Sequence, residues 1–522
     1  MDPRFTCTMR SQSVLGLTFK IVSLGIIDSI GIWGAVSLAF QSSYTLLTLL
    51  ILGVGTLNAV ILSKRAYPLR YLLPGLVFLA AMVVYPLLNT FYVSFTNLQT
   101  GNLLSKDTVL HLLDERYYLP EDSSVFDYSA FSDDADALAL ALTASDGKVW
   151  IYETEELREA DRSDPALTFD DAGTVQGIEG YEIVEGIDRY QILSRLEALA
   201  IPRGDQYLRL SGINEFKAYR KQYTYLAETD QLLDRQTGLL YAPIDGKFTA
   251  EDGTQIEPGY QIWIGGENYS RVFGNAAIRR DFVRVFVWTI LWSLFSVLFS
   301  FSLGLGLALL LNDRALRFRF FYRTLLLVPY VMPVFISALV WRGMFDVNFG
   351  IINRSFSDWF GITVPWLTHP TWAKATLVFI NVWLSFPYMM LISLGALQSI
   401  PNQLYEAARV DGAGMWKRFH RITLPLLMIS LAPLLIGSFA FAFNNFTLIW
   451  LVTSGRPAVF GAATPAGATD ILISWTYRIA FQGGVGNQLG LASAISVLIF
   501  FMVGTISAIG FRLTRQLEEV YK

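Results

Sequence analysis

Ser438, Phe441, Ala442 and Asn445 stand at i, i+3, i+4 and i+7 in an apolar stretch near 422–451, a spacing that shares one helix face. A hydroxyl, an aromatic ring and an amide together suit a sugar, which needs hydrogen-bonding groups and flat surfaces against its C–H faces. The same residues also suit packing between membrane helices, where polar side chains bond to one another. Spacing alone leaves both readings open. Asn444 lies roughly 100° away around the helix and is expected to bond a neighbouring helix. Two earlier apolar runs carry related signals: Pro329 and Pro333 bracket Tyr330, and Pro387 adjoins Tyr388. Prolines there free backbone groups and bend helices, as is common where helices line a cavity.

A second constellation is polar. "EAARVDGAGMWKRFHRITLPLL" (406–427) interrupts long apolar runs. Pro401 and Asn402 are helix-start signals, and 403–410 is helical in propensity, with Leu404, Ala407, Ala408 and Asp411 on a small-residue face. Gly412 and Gly414 permit a sharp reversal. A second helix is expected from Met415 through the basic Lys417–Arg421 and on into the next apolar run. Such a helix–turn–helix either docks in a groove of another protein or lies on the membrane surface.

Other chemistry is missing. His111, His369 and His420 fall in different loops, so no His-rich metal site is expected. Gly147-Lys148 and Gly246-Lys247 run on into apolar residues and lack an upstream glycine, so no phosphate cradle is formed and the chain should not hydrolyse ATP by itself. The apolar runs also lack the buried Asp/Glu/His series of ion-coupled carriers. No bound cofactor or metal is expected, nor catalysis, nor nucleic acid binding; membrane lipid is.

The elements that must position these residues follow from composition. The chain has 522 residues, 53% of them hydrophobic and only 16% charged, too apolar for a soluble domain. Eight runs are long enough to cross a hydrocarbon core, near 21–40, 43–62, 71–92, 283–311, 320–344, 372–395, 422–451 and 487–511. Lys64, Arg65 and Arg70, then Arg314, Arg317, Arg319 and Arg323, then Lys417, Arg418 and Arg421, then Arg512 and Arg515 cluster on one side of that arrangement. The positive-inside rule makes that side cytoplasmic, with both termini inside. Arg279, Arg280 and Arg284 oppose it, but they follow a long translocated segment, where the rule is weak. The first run also resembles a signal peptide with Arg4 and Arg10 as its basic region; its length and Asp28 favour a retained span. Asp28 is either functional or simply paired within the first helix.

Between Leu98 and Val272 lie 33 of the 44 acidic residues and 15 of the 40 basic ones, so an acidic soluble insert interrupts a basic membrane body. The single cysteine, Cys7, lies outside the insert, which must rely on its own core. "FSDDADALALALTA" (131–144) reads as helical, "GKVWIYET" (147–154) as a strand, and Asp245-Gly246-Lys247 and Glu251-Asp252-Gly253 as turns. The expected fold is an all-α polytopic membrane protein of about eight transmembrane helices with an inserted mixed α/β periplasmic domain. Its divisions fall at 1–96, 97–275 and 276–522, with the polar loop at about 401–421.

Glu406-Ala407-Ala408, Asp411-Gly412-Ala413-Gly414 and Ile422–Leu424 before Pro425 resemble the EAA loop of binding-protein-dependent ABC importer permeases. "RQTGLLY" (235–241), "PGYQIWIGGENYSRVF" (258–273), "SFAFAFNNF" (438–446), "TPAGATDILI" (464–473) and "YRIAFQGG" (477–484) are similar to the larger permease subunits of maltose/maltodextrin importers. The resemblance implies that Glu406, Ala407, Ala408, Asp411, Gly412 and Gly414 couple the chain to two ATPase subunits, which would bind the ATP and magnesium. It also implies a second homologous permease subunit and a periplasmic maltose-binding protein. Its sugar-contacting positions match Tyr330, Leu384, Tyr388, Ser438, Phe441 and Asn445. Val334, Ser385 and Ala442 stand where the family has serine, glycine and asparagine, which leaves room for another oligosaccharide. A membrane-tethered scaffold is the rival reading of a different class, and the EAA loop argues against it.

Topology is directly testable. A membrane-impermeant thiol reagent should modify an Asp252→Cys variant from the outer face of the membrane; modification solely from the cytoplasmic face would invert the arrangement.

Overall fold

The computed structural model describes residues 14–40, 44–63, 66–133, 137–161, 164–170, 174–184, 186–313, 315–482 and 486–520. Arg4, Cys7, Arg10, Lys64, Arg65 and Arg314 lie outside them. Among the described residues, five helices are long and apolar enough to cross a membrane: Tyr71–Ser94, Ala276–Asn312, Pro370–Ser399, Met415–Phe443 and Leu489–Arg512. A sixth apolar stretch is a bent pair, Arg319–Val331 and Val334–Met344, with 90° between its halves, and Leu24–Phe40 and Leu50–Leu62 are shorter apolar helices.

The chain forms two compact units, residues 1–91 and 92–522. In the first, helices Val14–Phe40 and Tyr44–Leu62 pack on each other. Asn58 Nδ2 donates to Asp28 Oδ1 at 2.6 Å and to Val54 O at 3.0 Å. Asp28 is therefore paired to its neighbouring helix.

In the second unit, the insert is built mainly of antiparallel strands. Its larger sheet runs in the order Glu156–Ala160, Val149–Glu153, Leu138–Ala144, Val125–Ser132, Glu215–Lys221, Gln206–Ser211 and Ile201–Arg203, with two short strands attached at its side. A five-stranded sheet covers Tyr223–Ile256. Asp245-Gly246, both at positive φ, and the turn at Gly253 close two of its hairpins, as their residue types require. The helix expected over 131–144 is instead a strand hairpin: Val125–Ser132 pairs with Leu138–Ala144 from Phe126↔Ala144 to Ser132↔Leu138. Leucine and alanine favour helices, yet here they alternate. Leu140 and Leu142 enter one core with Phe126 and Phe216, whereas Ala139 and Ala141 enter another with Phe131 and Ile151. A strand buried on both faces overrides propensity.

The insert is stitched to the membrane body. Asn268, wholly buried, donates to Ser94 O and Thr96 O at 2.9 Å each. Gly490 N donates to Leu98 O at 2.8 Å, and Thr100 N to Asn487 O at 3.0 Å. At Gly490 a Cβ would sit 2.3 Å from Thr96 O, so the first turn of the last span passes directly against this segment.

Within the body, Ala276–Asn312 packs along Pro370–Ser399. Two expected spans are broken. The run at 320–344 bends at Met332-Pro333, where proline supplies no N–H and begins the next helix. The run at 422–451 stops at Phe443 and restarts as Phe446–Val452, so Asn444 and Asn445 form a joint. At the closest approach of the two long helices, a Cβ on Gly304 would lie 2.6 Å from Met389 Cβ and 2.7 Å from Met390 N. Gly304→Ala should therefore destabilise the detergent-solubilised protein by roughly 1–3 kcal/mol through overpacking. Gly306→Ala, with nothing within 4 Å, should leave the thermal midpoint unchanged or raised; equal midpoints for both variants would contradict the close packing.

Candidate functional site

A cavity of about 620 Å³ opens between Ala276–Asn312, the bent pair, Pro370–Ser399 and the joint after Met415–Phe443. Its size falls within the usual range of ligand pockets, about 300–1,000 Å³. The structure brings Tyr330, Leu384, Tyr388, Ser438, Phe441 and Asn445 around it, together with Val334, Ser385 and Ala442. Pro333 starts its helix just beside Tyr330, and Pro387 lies inside the Pro370–Ser399 helix. The rings of Tyr330 and Tyr388 stack with centroids 6.4 Å apart and planes at 18°. Phe441 is 75% exposed, a face without internal packing.

The polar wall differs from the expected single helix face. Ser438, Phe441 and Ala442 do share the helix ending at Phe443, but Asn445 lies beyond it. Its Oδ1 accepts from Leu448 N at 3.3 Å, capping the next helix, and its Nδ2 donates to Asn381 Oδ1 at 3.3 Å. Asn445 is thus structural as well as available to the cavity. Ser438 Oγ donates to Leu434 O at 2.8 Å, which leaves its lone pairs to accept. Ala442 is buried, and its carbonyl, at the broken helix end, accepts from Trp292 Nε1 at 2.9 Å. Sequence reasoning missed Asn381, Ser296 and Ser300 in the cavity wall. Asn381 is the lone amide in the apolar run 372–395, a signal available beforehand; two serines four apart on a membrane helix are too common to mark a site.

Among the described residues, Asn444 bonds no other helix. Its Nδ2 donates to Ala440 O at 3.3 Å, and its side chain faces a different groove, lined by Ile473, Ser496, Ile499, Phe500, Val503 and Gly504.

The polar loop forms helix Asn402–Val410, a reversal, and a second helix from Met415 that continues through a π-helical turn at Phe419–Thr423 into the span. Gly412 adopts φ +71°, Ala413 N donates to Ala408 O at 2.8 Å and Gly412 N to Arg409 O at 3.1 Å. This is the glycine-terminated helix end that satisfies the last carbonyls. Glu406, Ala407, Asp411, Gly412 and Gly414 are exposed, and Ala408 is half-buried. Val410, Met415 and Trp416 are exposed by 88%, 80% and 76%, an apolar surface beside the acid. Tyr405 OH meets Thr423 Oγ1 at 3.0 Å, and Tyr405 and Phe419 pack against Leu397, Ile400, Leu427 and their neighbours. The loop is braced on three spans. Among the described residues no cluster of His, Cys, Asp or Glu is arranged to hold a metal.

Residues 283–519 match the model of the binding-protein-dependent transport system inner membrane component, and residues 77–155 that of the N-terminal of the TM subunit in PBP-dependent ABC transporters. A maltose/maltodextrin transport system permease protein MalF from Yersinia pestis is 35% identical over 483 residues, covering 90% of this chain and 89% of its own. The protein of the same name from Vibrio vulnificus strain YJ016 is 37% identical over 87% of this chain and 86% of its own. Among solved structures, a bacterial ABC transporter involved in alginate import matches at 25% identity and a TM-score of 0.43, over 49% of this chain and 84% of its own.

The double duty of Asn445 is testable. Asn445→Ala should cost about 1 kcal/mol of stability through the lost cap, measured as a lower thermal midpoint. Asn445→Asp, which retains the capping oxygen, should recover most of it, and Phe441→Ala should leave the midpoint in place. An unchanged midpoint in Asn445→Ala would deny the cap.

Proposed function

This chain belongs to the MalF family of ABC importer permeases, and from that membership we propose that it carries maltose or maltodextrins across the bacterial inner membrane. It is a multi-pass transport subunit and not itself the ATPase. A soluble periplasmic binding protein delivers the sugar to the outer side, where the insert at about 97–275 meets it; both termini face the cytoplasm, and residues 276–522 form the permease core. A second, homologous permease subunit completes the membrane pathway. Two ATPase subunits, which hold the ATP and magnesium, engage the loop at about 401–421.

The observation that carries this reading is the cavity itself. Tyr330 and Tyr388 offer stacked rings, Phe441 an unpacked one, and Ser438 and Asn445 hydrogen-bonding groups around one space. Aromatic faces against C–H surfaces and amides against hydroxyls are what a sugar requires. The loop supports coupling: Glu406 is exposed on a helix held rigidly to the spans by Tyr405 and Phe419, so movement of a docked ATPase would be passed to the cavity walls. A different oligosaccharide is the alternative cargo, favoured by Val334, Ser385 and Ala442, which all line the cavity and change its hydrogen-bonding groups.

Reconstitution with the partner subunits and candidate sugar-loaded binding proteins tests the whole reading. Maltose-loaded binding protein should stimulate ATP hydrolysis and sugar uptake. Phe441→Ala and Tyr388→Ala should lower uptake severalfold to about tenfold, the scale of losing an aromatic contact worth roughly 0.5–1.5 kcal/mol, without changing assembly. Ala442→Asn, which adds an amide to the wall, should strengthen maltose retention. Glu406→Lys should abolish stimulation or ATPase assembly while membrane insertion is retained. Normal uptake in Phe441→Ala, Tyr388→Ala and Glu406→Lys alike would remove the assignment.

A further inference from the structure

The connection between Ala276–Asn312 and the bent pair is both basic and aromatic. Residues 313–326 read DRALRFRFFYRTLL, with four arginines, one aspartate and no lysine. Arg319–Leu326 is helical and opens the bent pair. Leu316, Leu326 and Leu327 pack on the cluster that also holds Leu397, Tyr405 and Phe419, so the connection lies at the polar-loop end of the body. The 37-residue helix Ala276–Asn312, about 55 Å long at 1.5 Å per residue, separates it from the acidic insert.

Its charge is unmatched within the chain. Among the described residues, no carboxylate lies within ion-pair distance of Arg317, Arg319 or Arg323, and Arg323 Nε is buried without an acceptor. Asp313 is turned to the backbone, its Oδ1 accepting from Ala315 N at 2.9 Å. Both helical guanidiniums are held on one ring: Arg319 Cζ lies 5.2 Å and Arg323 Cζ 5.8 Å from the centroid of Phe320, a cation–π arrangement. Phe318, Phe320 and Phe321 are exposed by 75%, 67% and 64%. Phe318 also holds φ +61° just ahead of the helix, a conformation that bulky residues rarely adopt. Nor do residues 1–91 complement the cluster, since they carry six basic residues and two acidic ones.

We propose that this connection binds the headgroup phosphate of an anionic phospholipid, the guanidiniums gripping the phosphate and the phenylalanine rings entering the membrane interface beside it. Charge complementarity selects the occupant. A loop needs only positive charge to stay on its side of the bilayer, and lysine would supply that. Arginine at all four basic positions brings planar forks that hold phosphate through paired hydrogen bonds. Aromatic rings at span ends sit at headgroup depth, where basic side chains gain from a negative membrane surface. The Arg319–Val331 half of the bent pair carries Tyr330 to the cavity. A lipid held here therefore tethers one cavity wall to the membrane surface.

The test uses the full complex in phosphatidylcholine vesicles containing a minority of phosphatidylglycerol with a photoactivatable diazirine beside its headgroup. After irradiation, peptides covering 317–323 should carry the label, and a phosphatidylcholine probe with the same diazirine should label them severalfold less. Arg317→Gln, Arg319→Gln and Arg323→Gln combined should lower phosphatidylglycerol labelling severalfold, with the thermal midpoint retained. Phe320→Leu keeps every charge but removes the ring beneath two guanidiniums; it should lower labelling by a smaller factor, and it serves if the triple variant fails to fold. Lys417→Gln with Arg421→Gln, a loss of charge in the polar loop, should leave labelling unchanged. Equal labelling by the two probes, full labelling of the arginine variant, or an equal fall in the polar-loop variant would reduce the cluster to general surface charge. Labelling of the isolated chain that disappears in the complex would give this face to a partner subunit. Each of these results overturns the proposal.

Discussion

A membrane helix may leave a backbone group unpaired only where the protein itself answers it, because hydrocarbon cannot. Much of the membrane body is arranged around that constraint. The chain breaks its apolar helices at Met332-Pro333 and at Asn444-Asn445, and both breaks border the same cavity. Freed groups there are met from neighbouring elements: Trp292 Nε1 reaches Ala442 O, and Asn445 Oδ1 receives Leu448 N. Further along, Trp288 Nε1 reaches Thr469 O at 3.2 Å, and Arg342 Nη1 reaches Leu451 O at 3.3 Å. Irregular backbone, indole donors and the cavity are therefore one arrangement. A site for a polar ligand can exist at this depth because the helices that would have sealed it are interrupted.

The same economy holds at the ends of the body. Asp281, buried, accepts from Thr464 N at 3.0 Å, Thr464 Oγ1 at 2.7 Å and Arg284 Nη2 at 2.9 Å. Asp470, also buried, accepts from Gly467 N at 2.7 Å and Ser474 Oγ at 2.8 Å, with Arg478 Nε at 3.3 Å. Each carboxylate fixes the 455–470 connection against a helix. At the opposite end, Tyr405 and Phe419 anchor the polar loop on the spans. Between these two fixed ends, Gly304 lets the long helices meet at backbone distance.

Composition and periodicity were enough to recognise the apolar helices, the acidic insert and the helix–reversal–helix of the polar loop, because each depends on local chemistry. The glycine at 412 was legible for the same reason: only a residue tolerant of positive φ ends that helix so sharply. The breaks were not. Asn444 and Asn445 sit within unbroken hydropathy, and whether a helix continues past them depends on Asn381 and Trp292, distant in sequence. The strand at 138–144 was misread because leucine and alanine carry helical propensity, whereas its real cause is two separate cores, one on each face. Asn445 was placed at the cavity by helical spacing, yet it reaches the cavity from beyond the helix end. In each case the missing information was tertiary.

The stitching of Thr96–Thr100 to Asn487–Gly490 has a consequence for how the molecule comes to be made. Asn487 N and Thr100 Oγ1 meet at 3.1 Å although 387 residues separate them. The strand pairings of the insert close between Tyr117 and Ile256, so its sheets can be complete while the permease core is still on the ribosome. The seat for its base cannot be, since Leu489–Val520 emerges only after the whole insert and the preceding helices. Synthesis therefore reaches the Asn487–Gly490 part of the seat well after the insert is complete, and until then Asn268 alone of these contacts holds its base. The order of translation thereby becomes an order of assembly, with the Leu489–Val520 helix pinning a base that was folded long before it.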